Sequence, residues 1–276
     1  MIRRVLALAA FHWGDSFRSL GGVLLLILSA IFAYLFFING GRAPDVDYYT
    51  LVIGSFGAAA TFVTTITIAG RAYRAENAAW MARLPSRIEY LAAIWLAGLC
   101  AGLTLQLLVA LIALLGRPEL TLVRVLELPP LWIAANIFAG VLSLHATDMV
   151  TRDWSRVYVF SVLLVFLFGT TGGDVFSRWL SGRARSLSSF FAGQGVLPIS
   201  NGLGDVANWL VGDGLTTIGD TLGLAFWPFR AILDAAIAGS FTRAQALAPA
   251  FLLIYATILF MLAADFFAGK DIILGD

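Results

Sequence analysis

Charge is scarce in this sequence. Only 13% of its 276 residues are Asp, Glu, Lys or Arg, about half the share of a soluble domain. Cysteine is nearly absent as well. Cys100 stands alone, which excludes an intrachain disulfide framework. Histidine is confined to His12 and His145, so a His-rich metal site has too few ligands. The net charge is +1, which supplies no electrostatic attraction for nucleic acid, and no nucleic-acid partner is expected. What remains is apolar: 60% of the residues are hydrophobic before glycine is counted. That share excludes a disordered chain and leaves too little polar surface for a water-soluble globule. An integral membrane protein is expected.

The positions of the missing charges test this expectation. A spanning helix needs about 20 apolar residues, because each adds about 1.5 Å across a core of about 30 Å. Six stretches without Asp, Glu, Lys or Arg approach or exceed that length: 19–41, 48–70, 90–116, 128–147, 157–173 and 244–264. They predict six transmembrane helices in one membrane domain over 1–276. The apolar run of the first is too long for a cleaved signal peptide. A further charge-free stretch, 186–204, is rich in Ser and Gly and contains Pro198. It reads as loop or re-entrant backbone, which membranes tolerate only where it is buried in protein or wetted. Segment 222–240 carries Pro228, Arg230 and Asp234 and reads as a surface or half-inserted helix.

Before the first span, Ile2, Val5, Leu6, Ala9, Trp13 and Phe17 share one side of a helical wheel. Arg3, Arg4, His12, Asp15 and Arg18 share the other, with Leu8 and Phe11 as exceptions. The pattern predicts an amphipathic helix lying on the lipid headgroups. With both termini inside, segments 1–18, 71–89, 148–156 and 265–276 hold Lys and Arg at nearly twice the density of the outer segments. That asymmetry orients the N- and C-termini to the cytoplasm. The outer region 174–243 lies between spans five and six and interleaves Trp and Phe with balanced Arg and Asp.

Between spans two and three, Tyr73, Asn77, Trp80 and Leu84 fall on one helical face. Arg71, Arg74, Glu76 and Arg83 lie off that stripe, and Pro85 disfavours helix at Leu84. A short cytoplasmic helix with an aromatic stripe is expected. It can lie on lipid through Trp80, or dock a cytoplasmic partner.

Here the chain resembles the permease subunits of type-2 ATP-binding cassette (ABC) transporters. The resemblance rests on Glu76, then Leu84-Pro85-Ser86-Arg87, then Glu89-Tyr90-Leu91, together with the six-span layout and Trp227-Pro228-Phe229 before the last span. Asn77-Ala78 and Ala93-Ile94 stand where the family often carries Gly-Thr and Gly-Lys. The resemblance implies an all-α permease of the cell membrane, probed through a cytoplasmic coupling helix by a separate ATP-binding subunit. It implies a second permease copy, as homo- or heterodimer, and export driven by ATP hydrolysis. Tyr73, Glu76, Trp80, Arg83, Leu84 and Pro85 would form the ATPase-docking site, with Trp80 and Leu84 as anchors and Glu76 and Arg83 at the rim. ATP and Mg would be bound by the partner. Gly269-Lys270 is followed by Asp271 and lacks the rest of a phosphate loop, so no cofactor is assigned to this chain.

Intramembrane chemistry has little to draw on. His145 and Asp148 can share a helical face, but a polar helix end explains them without a metal. Asp265 reads as an interfacial carboxylate near Lys270. No catalytic residue is assigned, and the chain is not expected to be an enzyme. Thr61, Thr64, Thr65 and Thr67 read as interhelical hydrogen-bond groups, and Gly54, Gly57 and Ala58 allow close backbone approach. Gly98 and Gly102 form a GxxxG that can pack within the chain or line a self-association seam. The alternative to a transporter subunit is a membrane anchor or scaffold for a larger complex.

Overall fold

The computed structural model describes residues 1–39, 46–74, 84, 86–116, 122–150, 161, 173–212, 214, 227–238 and 242–269. Every regular element among them is helical. In chain order these are α1 (Ile2–Arg18), α2 (Leu20–Ala33), α3 (Val46–Ala72), α4 (Arg87–Ala113), α5 (Leu122–His145), α6 (Gly173–Gly193), α7 (Leu197–Val211), α8 (Trp227–Ala238) and α9 (Ala248–Ala268). α2 continues through a π turn at Tyr34–Ile38, and a 3₁₀ turn at Gln245–Leu247 leads into α9.

Four of these segments are long and apolar enough to cross a membrane: Leu20–Ile38, Tyr48–Ala72, Arg87–Ala113 and Gln245–Ala268. They match the expected first, second, third and sixth spans. Pro129–His145 is a shorter apolar helix at the place of the fourth. The expected fifth span, 157–173, lies outside the described residues except for its positions 161 and 173. The helix of the expected third span, α4, begins earlier than its charge-free stretch. Ser86 is extended and its hydroxyl accepts the Ile88 N–H at 3.2 Å, which starts the helix at Arg87. Glu89 then sits in the first turn, where the helix dipole favours an acid.

The expectation of loop across 186–204 is corrected, because helix occupies most of it. α6 runs to Gly193, and α7 starts at Leu197. The turn between them is a Schellman cap. Gly195 takes φ +76°, the Val196 N–H reaches the Phe191 carbonyl at 2.9 Å, and the Gly195 N–H reaches Ala192 at 3.0 Å. Pro198 sits in the first turn of α7, where no intrahelical N–H is needed. Ser and Gly thus mark one tight cap here, while the flanking serines bond across the hairpin. Ser181 donates to the Ala207 carbonyl at 2.9 Å and Ser188 to that of Ser200 at 2.7 Å. Segment 222–240 contains the helix α8, as its pattern predicts.

The chain divides into two compact units, Met1–Val159 with Pro228–Asp276, and Phe160–Trp227. The second holds the α6–α7 hairpin. In the first, α3, α4 and α5 form the centre, with α1 and α2 against α4 and α9 against α5. Two apolar clusters occupy opposite ends of these helices. One joins Ala69, Ala72, Tyr90, Leu91, Ile94 and Phe267, and the other Ala33, Phe37, Tyr49, Ile53 and Val109.

Between the clusters, glycine brings α3 and α4 together. A Cβ on Gly98 would strike Thr65, and one on Gly102 would strike Thr61. The GxxxG face therefore packs within the chain. Close approach also satisfies polar groups that lipid cannot. Thr64 donates to the Gly98 carbonyl at 3.0 Å, and Thr61 donates to Asn136 Oδ1 at 3.0 Å. The Asn136 amide donates to Gln106 Oε1 at 2.5 Å, and the Gln106 amide donates to the Ile53 carbonyl at 3.2 Å. This buried chain of side chains links α3, α4 and α5.

α1 is placed differently from its wheel. Val5, Leu8, Ala9 and His12 turn toward the protein, while Ile2, Leu6 and Trp13 are exposed. His12 is 9% exposed and meets the Tyr90 ring edge-on at a centroid distance of 6.0 Å. It does not belong to the outer polar face. The helix has more apolar width than one contact can cover, so α4 takes one strip and leaves another outward.

Candidate functional site

The six expected docking residues fall on the connection from α3 to α4. Glu76, Trp80, Arg83 and Pro85 lie outside the described residues. Tyr73 and Leu84 flank that gap. Both are half-buried and both pack against the apolar cluster around Tyr90 and Phe267. Both thus face the protein's own core.

Several contacts knit this base. The Tyr90 hydroxyl donates to the Ala72 carbonyl at 2.8 Å, which satisfies an acceptor in the last turn of α3. Arg87 donates to the Ala268 carbonyl at 3.3 Å, at the C-terminal end of α9. Arg4 reaches from α1 to Glu89, with Nε at 2.9 Å and Nη2 at 3.0 Å from the two carboxylate oxygens. The fork is bidentate, which fixes direction as well as distance. Its hydrogen bonds raise the Arg4 guanidinium further above an already high range, so it stays charged. Around one turn of α4, then, converge the start of α1 and the ends of α3 and α9.

His12 completes the α1–α4 contact. Its Nε2 is buried and has no hydrogen-bond partner in the structure. Burial pushes the imidazole below its ordinary pKa, against a smaller upward pull from Asp15. The neutral ring is the form that fits beside Tyr90.

No family model, curated protein or solved structure matches the chain. The geometry must therefore speak through its own residues. Sequence reading singled out Glu89 and Tyr90 as part of a motif, but missed that Arg4 and Ala72 are their partners. Charge sign was the available signal for Arg4. A lone acid in the first turn of an apolar helix calls for a cation, and α1 carries three arginines. For Tyr90 no sequence signal existed, since its acceptor is a backbone carbonyl.

His145, 4% exposed, bonds the Leu259 carbonyl through Nε2 at 2.9 Å and ties α5 to α9. Among the described residues, no three of His, Cys, Asp and Glu converge as metal ligands.

Proposed function

We propose that this chain is the membrane-spanning subunit of an ATP-driven transporter of the type-2 ABC class. It crosses the cell membrane six times with both termini in the cytoplasm, and α1 lies at the inner interface. It pairs with a second permease copy, and the 75–85 connection docks a separate ATP-binding subunit. Export is the direction that fits the resemblance.

One observation carries this reading. Tyr73 and Leu84, on either side of the connection, pack on a single apolar cluster that also holds residues of α1, α4 and α9. A load on the connection reaches five helices, α1, α3, α4, α5 and α9, through that cluster, because close-packed side chains transmit displacement. Differential contact with two states of an ATPase is what biases two states of a permease. The outward strip of Ile2, Leu6 and Trp13 supports α1 at the membrane surface.

Co-purification from the native membrane tests the proposal. The chain should bring down a protein with a phosphate loop, and Trp80→Asp should abolish that association while insertion is retained. If tagged wild-type protein carries no ATPase, the transporter reading falls and the anchor or scaffold reading replaces it.

A further inference from the structure

A cleft of about 220 Å³ opens between α2 and α3. Its origin is local. Ser19 is extended, with φ −80° and ψ 154°, and separates α1 from α2. α2 then packs mainly on α4. It meets α3 at the far end, where Phe32 stacks on Phe56 at 4.7 Å. Toward Ser19 a gap is left. Leu24, Leu25 and Leu28 wall one side, and Val63 and Ile68 the other.

Arg71 is the charged residue in this lining. Its guanidinium lies against Gly21, where an added Cβ would sit 3.2 Å from Nη2. Glycine at position 21 therefore leaves room for the cation at the first turn of α2. That turn carries the positive end of the α2 dipole, and its Gly22 N–H is bonded to the Ser19 hydroxyl at 3.2 Å. Two positive features thus sit at the mouth of an apolar cleft. Leu24, Leu28 and Val63 are each about half exposed, so the cleft faces the surroundings of the helices along its length.

The volume decides the occupant's size. It falls below the roughly 300 Å³ at which whole small-molecule sites begin. From Gly21 to Leu28 the cleft follows α2 for about 10 Å, a third of a bilayer core. A flexible hydrocarbon segment fits that shape, and Arg71 fits an anionic group at its end. We infer that this cleft is a specific site for an anionic phospholipid, with one acyl chain between α2 and α3 and its phosphate at Arg71. The site stands on the cleft alone, independently of any transport function.

The full-length protein, purified in detergent and supplied with phosphatidylglycerol or phosphatidylcholine, tests the site by native mass spectrometry. Wild type should retain one phosphatidylglycerol with at least about fivefold preference, the worth of one basic residue near a charged surface. Arg71→Gln should remove that preference. Val63→Trp fills the cleft from α3 and should lower retention of phosphatidylglycerol to the level of the neutral lipid. Leu107→Trp, at an exposed position outside the lining, should leave retention unchanged. If Arg71→Gln proves unstable, Val63→Trp and Leu107→Trp decide the matter between them. Equal retention of the two lipids by wild type overturns the site. So does undiminished retention in Val63→Trp, or displacement of the lipid by excess inorganic phosphate.

Discussion

Arg4 and Glu89, on helices far apart in sequence, form a bidentate ion pair at 2.9 and 3.0 Å. The carboxylate is 8% exposed while the guanidinium is 52% exposed. Arg4 is therefore the solvent-side member that keeps a nearly buried acid satisfied. Through it, α1 is attached to the first turn of α4, beside the connection that follows α3.

This asymmetry gives a test. Glu89→Gln leaves Arg4 able to return to water, whereas Arg4→Gln strands a nearly buried carboxylate. Arg4→Gln should thus lower the thermal midpoint more than Glu89→Gln, and the double variant should fall no further than Arg4→Gln. Additive losses in the double-mutant cycle would show that the two side chains act separately.

Acid should loosen the same contact through His12. Its folded pKa lies below the ordinary 6.5 because burial disfavours the imidazolium. The unfolded ring therefore takes up a proton first as pH falls. The His12 contribution is complete above about pH 6.5 and is lost progressively below it. Hydrogen exchange of α1, followed from pH 7.5 to 5, should accelerate toward acid beyond its intrinsic rate change. His12→Phe should flatten that excess.

Gly102 faces Thr61 where α3 and α4 are closest. Gly102→Val should destabilise the fold by about 1–3 kcal/mol through overpacking. Gly70→Ala, with nothing within 4 Å of the new Cβ, is the matched control and should be neutral or better. Unfolding midpoints in detergent separate the two. A change in oligomer size with unaltered stability would instead assign Gly102 to an interface between copies.

Asn136 sits between Thr61 and Gln106 and is fully buried. Asn136→Leu orphans a hydroxyl and an amide oxygen, so a loss of about 1–2 kcal/mol is expected, near the upper end for polar contacts between membrane helices. Thr61→Val in the Asn136→Leu background should cost less than it does alone. Equal costs in both backgrounds would break the proposed network.

The sequence alone was decisive where one solvent imposes one rule. Hydrocarbon demands long apolar helices with internally bonded backbones, and the charge-free stretches at 19–41, 48–70, 90–116 and 244–264 all coincide with such helices. The Ser- and Gly-rich run at 186–204 was misread because composition does not say how many of those glycines take positive φ. Gly195 does, and helices occupy both sides of it.

Only tertiary structure decided the partners. Arg4 and His12 shared a polar side on the wheel, yet one grips Glu89 and the other is buried beside Tyr90. The same holds for Gly98 and Gly102, whose pattern fits an internal seam and an external one equally. Periodicity reports which residues share a face of a helix. What covers that face depends on helices many residues away, and their approach is set by shape and hydrogen bonding that no local window contains.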